Sequence, residues 1–206
     1  MIDWPGCRNV RDLGSVPGIR PGALVRSDSL TSLTADGIAA VRRANVSRIV
    51  DLRTAGECEH YPNPFAALPL YCHRTLISER RAGGPSVPLL QDYIELLQLE
   101  NGRYLADALE AIVSAPPGAV VVHCHAGKDR TGLVVALTLA AAGIERRAVV
   151  EDYVRSDGVW ATTLTGALDH LDERYGGVQE YLGIGGLASG ELSALRERLV
   201  LDAPAG

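Results

Sequence analysis

The residues His123-Cys124-His125-Ala126-Gly127-Lys128-Asp129-Arg130-Thr131-Gly132 stand between a strand-like run and a helix-like run. Ala119-Val120-Val121-Val122 is short, β-branched and uncharged, as a strand covered on both faces of a sheet requires. Thr131 to Ala142 is rich in Leu, Val and Ala and is stopped by Gly143, which predicts a buried helix. A buried strand turning at once into a buried helix points to an α/β fold, with a central sheet flanked by helices. The backbone between the two must turn sharply, so successive amide hydrogens can converge on one point at the positive end of the helix dipole.

An anion suits that point, and the side chains suggest a phosphoryl group. Cys124 and Arg130 are six positions apart. A thiol at a helix N-terminus beside a cation can have its pKa lowered from about 8.5 to roughly 3.5–7.5, which gives the reactive thiolate. Arg130 offers a planar fork of donors that holds two phosphoryl oxygens and tightens as the group flattens in the transition state. Thr131 can donate its hydroxyl to the sulfur and stabilise it as a leaving group. The phosphate-binding set is then His125, Ala126, Gly127, Lys128, Asp129 and Arg130, with Gly127 allowing an unusual dihedral and Gly132 a close helix approach. Cysteine with arginine at this spacing is a weak signal alone. The other cysteines, Cys7, Cys58 and Cys72, lack it, and the whole string in its strand-to-helix context is far more specific.

This string resembles the signature loop of the cysteine-dependent protein tyrosine phosphatase superfamily, in the Ala-Gly-Lys-Asp-Arg-Thr-Gly form of its atypical bacterial group. Asn9 to Gly14, Arg26 to Leu30, Val50 to Arg53 with Glu57, and Asp152 to Ser156 resemble that group's other motifs in their usual order. The resemblance covers most of the chain. It implies a protein tyrosine phosphatase-like fold with a mostly parallel sheet, and hydrolysis of phosphotyrosine through a phosphocysteine on Cys124. The group's best-known member carries a long helical lid. Here only Asp157 to Gly176 joins the helix containing Tyr153 to the terminal region, so a full two-helix lid is not expected and the site should be more open.

Two aspartates compete to protonate the leaving group. Asp129 lies inside the loop, and the resemblance favours an in-loop acid; Asp51, ending the strand Ser47 to Val50, is the alternative acid or a strand-end residue satisfying nearby amides. Free Asp titrates near 3.9, and a neighbouring thiolate and bound phosphate dianion would raise that value. Phenols leave more readily than alcohols, so aryl phosphates are the first expectation. His125 and Lys128 add potential positive charge, and the resemblance extends the substrates to phosphoserine, phosphothreonine or a phosphoinositide head group. The alternative for Lys128 is a surface ion pair. Two other function classes remain: a catalytically inactive phosphotyrosine-binding module, which a complete Cys, Asp and Arg set disfavours, and thiol-based arsenate or sulfur chemistry, for which no resolving thiol is identified.

Net charge is −5, so phosphate must be attracted by local geometry, and extended nucleic-acid binding is not expected. At 206 residues and 47% hydrophobic, the chain fits one phosphatase domain over residues 1–206. The start, Met1 to Gly6, has no basic segment followed by an apolar run, and the helix after Arg130 is too short to span a bilayer, so no integral membrane segment and a cytoplasmic location are expected, signal-less export remaining open. Cysteines are expected reduced, with Cys7, Cys58 and Cys72 as packing residues or one of them as a resolving thiol. His60, His73 and His170 form no recognisable metal set, and no cofactor is implied. Expected partners are a phosphotyrosine protein or phosphorylated small molecule and inorganic phosphate.

Elsewhere, patterning predicts strands at Ala23–Arg26, Val46–Leu52 and Leu68–His73. Helices are predicted at Thr34–Ala44 with Thr34 as cap, Val87–Leu99 and Tyr104–Val113, then near Arg146–Ser156, Thr162–Tyr175 and Glu191–Leu201. Pro62, Pro64 and Ala82 to Pro88 mark loops. Arg11, Asp12, Arg26 and Asp28 are expected to form an ion-pair frame behind the reactive loop, and His123 to orient that loop.

Overall fold

In the computed structural model residues 2–76 and 90–201 are described. The apolar runs become β1 (Arg11–Asp12), β2 (Leu24–Ser27), β3 (Val46–Asp51), β4 (Tyr71–His73) and β5 (Ala119–His123), ordered β1-β2-β5-β3-β4 in one sheet. β1 is antiparallel to β2 and the other pairs are parallel, which is the expected mostly parallel sheet. β5 lies in the centre and all of its residues are buried, the reason its sequence is apolar throughout. Side chains alternate across it: Val120 and Val122 join Leu24 and Val50 in the larger core, while Val121 joins Val25 and Ile49 in a smaller one with Trp4, Leu30, Val41 and Phe65.

Helices flank this sheet. α1 (Ala35–Arg43), capped by Thr34 as expected, contributes Val41 to the smaller core. α2 (Ala55–His60) follows β3. α3 (Leu90–Leu96), α4 (Leu99–Val113), α5 (Asp129–Ala141), α6 (Arg146–Tyr153), α7 (Ala161–Tyr175), α8 (Val178–Ile184) and α9 (Ser189–Leu199) build the larger core. α7 occupies the connection expected to be too short for a lid, and it buries Leu164, Ala167, Leu168 and Leu171 in that core. Among the described residues no helix is long and apolar enough to cross a membrane.

Several boundaries depart from the sequence expectation, among them the start of α4, which lies at Leu99 and not at Tyr104. The helix predicted to begin at Val87 is described from Leu90 and ends at Leu96, because Gln98 adopts an extended backbone and starts α4. Asn101 and Gln98 side chains donate to the carbonyls of Glu95 and Ile94, closing α3 with groups that hydropathy does not register. The strand predicted from Leu68 starts only at Tyr71, since Leu68 and Tyr71 amides donate back to Phe65 and Leu68 in turns. α5 begins at Asp129 rather than Thr131, so both Asp129 and Arg130 lie in its first turn. The loop expected at Ala82 to Pro88 lies outside the described residues.

β2 and β3 end level with β5: Ser27 and Asp51 are both register partners of His123. The chain leaving His123 therefore emerges at the carboxyl edge of three parallel strands, where α/β sheets bind ligands.

Candidate active site

Residues 124–128 join β5 to α5, and their carbonyls are held on the outer side. His125 O accepts from the Ser29 amide at 2.9 Å, Ala126 O and Gly127 O accept from Asn9 Nδ2 at 3.2 and 3.1 Å, and Gly127 O also accepts from Arg26 at 2.9 Å. In a planar trans peptide N–H points opposite to C=O, so the amides of Ala126, Gly127 and Lys128 turn to the inner side of the bend. Gly127 makes the bend possible. Its φ is +69°, and a Cβ there would lie 2.5 Å from Ser27 O.

A buried ion cluster holds the outer side. Arg11 Nε and Arg26 Nη1 each donate to the Asp152 carboxylate at 2.8 Å, and Arg11 also reaches the Asp152 carbonyl, Ser156 Oγ and Asn9 Oδ1. The frame expected behind the loop exists, but its acid is different. Asp12 accepts from the amides of Gly14 and Gly22, and Asp28 from those of Arg8 and Asn9, so both are spent on backbone donors. Burial opposes ionisation of Asp152, and the two arginines reverse that and hold its carboxyl below the usual range.

Cys124, at the floor of the bend, is buried, and it packs at the edge of the larger core. His123 holds its carbonyl, with Nδ1 3.1 Å from Cys124 O. Only a donor can serve there, so the other ring nitrogen accepts from Asn63 Nδ2 at 3.0 Å, Asn63 Oδ1 being committed to the Phe65 amide. Burial lowers the His123 pKa and keeps the ring neutral in that tautomer. The expected orienting role of His123 thus takes the form of a carbonyl anchor. Thr131 Oγ1 is buried and has no hydrogen-bond partner among the described residues.

Arg130 is gripped from behind. Glu57 accepts from its two terminal nitrogens at 2.6 and 2.8 Å, leaving the remaining N–H groups for a ligand. Glu57 Oε2 also accepts from the Thr54 amide while Thr54 Oγ1 accepts from the Glu57 amide, a capping box that fixes the carboxylate at the start of α2. Burial resists ionisation of Glu57, and hydrogen bonds from Arg130 and Thr54 outweigh it, bringing the pKa down to about 2.

The competing aspartates have opposite surroundings. Asp129 is partly buried, accepts from the Tyr93 hydroxyl at 3.3 Å, and has its pKa raised by burial. The direction is the expected one; its cause is desolvation. Asp51 is wholly buried, takes Arg53 Nε and Nη2 at 2.9 and 2.6 Å, and accepts from Tyr71 OH at 3.0 Å. Burial opposes its charge, but the Arg53 guanidinium along its edge holds the carboxyl well below the usual range. Arg53 passes on to Ser29 Oγ and the Tyr61 carbonyl.

A cysteine followed by a bend of inward-turned amides, an arginine whose charge it feels and an acid of raised pKa agree with what comparison with known proteins finds. The profile of the tyrosine phosphatase family matches residues 2–162. The chain belongs to that family. Its similarity to the triple specificity protein phosphatase PtpB of Mycobacterium tuberculosis is 31% identity, over 75% of this chain and 68% of that protein. A tyrosine-protein phosphatase of Nostoc commune is 26% identical over 78% of this chain and 61% of its own length. The active form of Tk-PTP superposes with a TM-score of 0.39 at 18% identity, covering 77% of this chain and 98% of that one. Family membership makes this chain a phosphatase, acting on a phosphorylated substrate and releasing phosphate.

Around the tyrosine phosphatase loop the structure gathers His125, Ala126, Gly127, Lys128, Asp129, Arg130 and Thr131 by chain contiguity, and sets Asp51 against the His123 ring at 3.4 Å with Arg53 along its edge. His125 is exposed, its ring 5.5 Å from that of Tyr61, which is also exposed. Lys128 has no ion-pair partner among the described residues. Gly132 has the close-packing role expected, since a Cβ there would lie 2.8 Å from the Tyr153 ring. Sequence reasoning assigned no role to Asn9, Glu57, Asn63, Tyr93 or Tyr153. Thr54-x-x-Glu57 is a readable capping-box signal, whereas Tyr93 lies in the helix predicted over Val87–Leu99 with nothing in the pattern to mark its hydroxyl.

Proposed function

We propose that the chain hydrolyses aryl phosphate monoesters, phosphotyrosine foremost, through a phosphocysteine. The observation that carries this is the tethering of the His125, Ala126 and Gly127 carbonyls to Ser29, Asn9 and Arg26, which aims the following amides inward, with Arg130 near enough to Cys124 for their charges to interact. The Cys124 thiolate attacks phosphorus, the bond to the phenol oxygen breaks, and Asp129 gives that oxygen its proton. Water then attacks phosphorus, the S–P bond breaks, Asp129 takes the proton, and phosphate leaves with the thiolate restored. Thr131, whose buried hydroxyl has no partner among the described residues, donates to the departing sulfur. The amides and Arg130 carry the equatorial charge through both steps. Asp51, committed to Arg53, is structural in this scheme.

Lys128 extends the range. A cation in the loop without an ion-pair partner among the described residues suits a second phosphate or a neighbouring acid, so phosphoserine, phosphothreonine and phosphoinositides fall within the proposed substrates. All four cysteines are free, which fits a reducing, cytoplasmic setting. The test is turnover of para-nitrophenyl phosphate in chelator: activity is expected in the wild type, none in Cys124→Ser, and a basic pH limb that disappears in Asp129→Asn. Turnover by Cys124→Ser would overturn the nucleophile, and an unchanged pH profile in Asp129→Asn the acid.

A further inference from the structure

We infer that Tyr93 is a positioning residue for proton transfer: it occupies Oδ1 of Asp129 and so confines the acidic proton to Oδ2. The inference rests on Asp129 as the general acid, as proposed above. Tyr93 is buried in the larger core, yet its hydroxyl meets two polar groups from two other helices, Asp129 Oδ1 at 3.3 Å and Tyr153 OH at 2.7 Å. The Tyr153 hydroxyl has no other partner among the described residues. Its proton therefore turns to the Tyr93 oxygen, and the Tyr93 proton, with nowhere else to go, points to Asp129. A carboxyl that accepts at Oδ1 in both of its protonation states carries its own proton on Oδ2.

All three groups are fixed by packing. The Tyr93 and Tyr153 rings meet edge to face at 6.4 Å. Tyr153 lies against Gly132, one helical turn beyond Asp129, where any side chain would strike the ring. α3 is seated on α7 with Leu90 in the notch left by Gly166, where a Cβ would come 2.8 Å from Leu90 Cδ2. Asp129, Tyr93, Tyr153 and Gly132 thus close a circuit that begins and ends on α5. When Oδ2 delivers its proton to the leaving oxygen, the carboxylate left behind is met by the Tyr93 donor already in place, and the same contact holds the group while it takes a proton from the attacking water.

Tyr93→Phe keeps the ring and removes the donor. Because that donor favours the carboxylate form, its loss raises the Asp129 pKa, and the basic limb of kcat/KM moves to higher pH. With the acid no longer aimed, kcat/KM for phenyl phosphate is expected to fall about tenfold, and that for para-nitrophenyl phosphate, whose leaving group needs less help, by less than about threefold. In an Asp129→Asn background the same change has no further effect on either substrate. Tyr153→Phe removes the hydroxyl whose donation to the Tyr93 oxygen strengthens Tyr93 as a donor, so it shifts the limb in the same direction by a smaller amount and serves as the second variant if Tyr93→Phe does not fold. An equal loss on both substrates, or an unmoved limb in variants of native melting temperature while Asp129→Asn abolishes it, overturns the role of Tyr93 alone. A limb that survives Asp129→Asn overturns the acid assignment, and this inference falls with it.

Discussion

Glu57 takes both terminal nitrogens of Arg130, at 2.6 and 2.8 Å, while its own backbone and carboxylate are locked into the first turn of α2. An arginine held on one edge presents its other N–H groups without having to be ordered by the ligand, so much of the entropy of binding is removed in advance. The functional consequence is that Glu57, which touches no phosphate, sets how well phosphate is bound.

Glu57→Gln keeps the shape and removes the charge. A fall of about ten- to a hundredfold in kcat/KM for para-nitrophenyl phosphate is expected, with weaker inhibition by inorganic phosphate, because one neutral oxygen cannot hold both nitrogens. Phosphate inhibition as tight as in the wild type would show that Arg130 orients itself.

The same pair predicts a pH dependence of stability. Glu57 is brought from its ordinary 4.5 down to about 2 in the folded protein, so the folded state binds fewer protons between those values. The contribution is fully present above about pH 4.5 and is lost as pH falls towards 2. Urea midpoints of wild type and Glu57→Gln should differ by a constant amount from pH 7 to about pH 5 and converge below that, measured by circular dichroism.

How much of this was visible in the chain depends on whether partners are neighbours in sequence. Cys124, Asp129, Arg130 and Thr131 share one short segment between two apolar runs, so loop, strand and helix were legible together. Asn9 and Ala126 are 117 residues apart, and the pairing of Arg26 with Asp152 spans 126, with nothing local to select it over Asp28, a near neighbour that proved to be occupied by the amides of Arg8 and Asn9. Tyr93 falls within the helix predicted over Val87–Leu99, but periodicity reports where a ring goes and says nothing of where its hydroxyl ends. The short α2 was missed because a helix of that length lacks a hydrophobic stripe, and the Thr54 to Glu57 capping pair was its remaining signal.

Asp152→Asn leaves Arg11 and Arg26 facing each other without their shared carboxylate. Arg26 and the acid have almost no solvent access and Arg11 is partly buried, so a destabilisation of about 3–5 kcal/mol is expected by chemical denaturation. Phosphate affinity should fall too, since Arg26 also carries Gly127 O and Lys128 O. A stable variant with unchanged phosphate affinity would show that the loop holds its bend unaided.

His123 should behave as a neutral ring throughout the range where an ordinary histidine titrates. Its Nδ1–H is committed to Cys124 O and burial lowers its pKa, so nitrogen-15 shifts are expected to report the Nδ1–H tautomer unchanged from about pH 8 to about pH 5. Unfolding releases a histidine with a pKa near 6.5, so this group lowers stability as pH falls below that value. A midpoint near 6.5 in the folded protein would mean that the ring is solvated and the Cys124 carbonyl is not anchored by it.

Asp51→Asn separates a structural carboxylate from a catalytic one. Asp51 sits at the end of β3 with Arg53 bound along one edge, Tyr71 donating to it and the His123 ring 3.4 Å away, so its charge is needed at all working pH values and it has no proton to give. Removing the charge strands the Arg53 guanidinium in the core, at about 3 kcal/mol of stability. Arg53 also carries the carbonyl of Tyr61, so the exposed ring beside His125 should lose its placement and KM for aryl phosphates should rise. The basic limb of kcat/KM should nevertheless persist at its wild-type position, in contrast to its disappearance in Asp129→Asn. A limb lost in Asp51→Asn at a temperature where that variant is folded would move the general acid from α5 to β3.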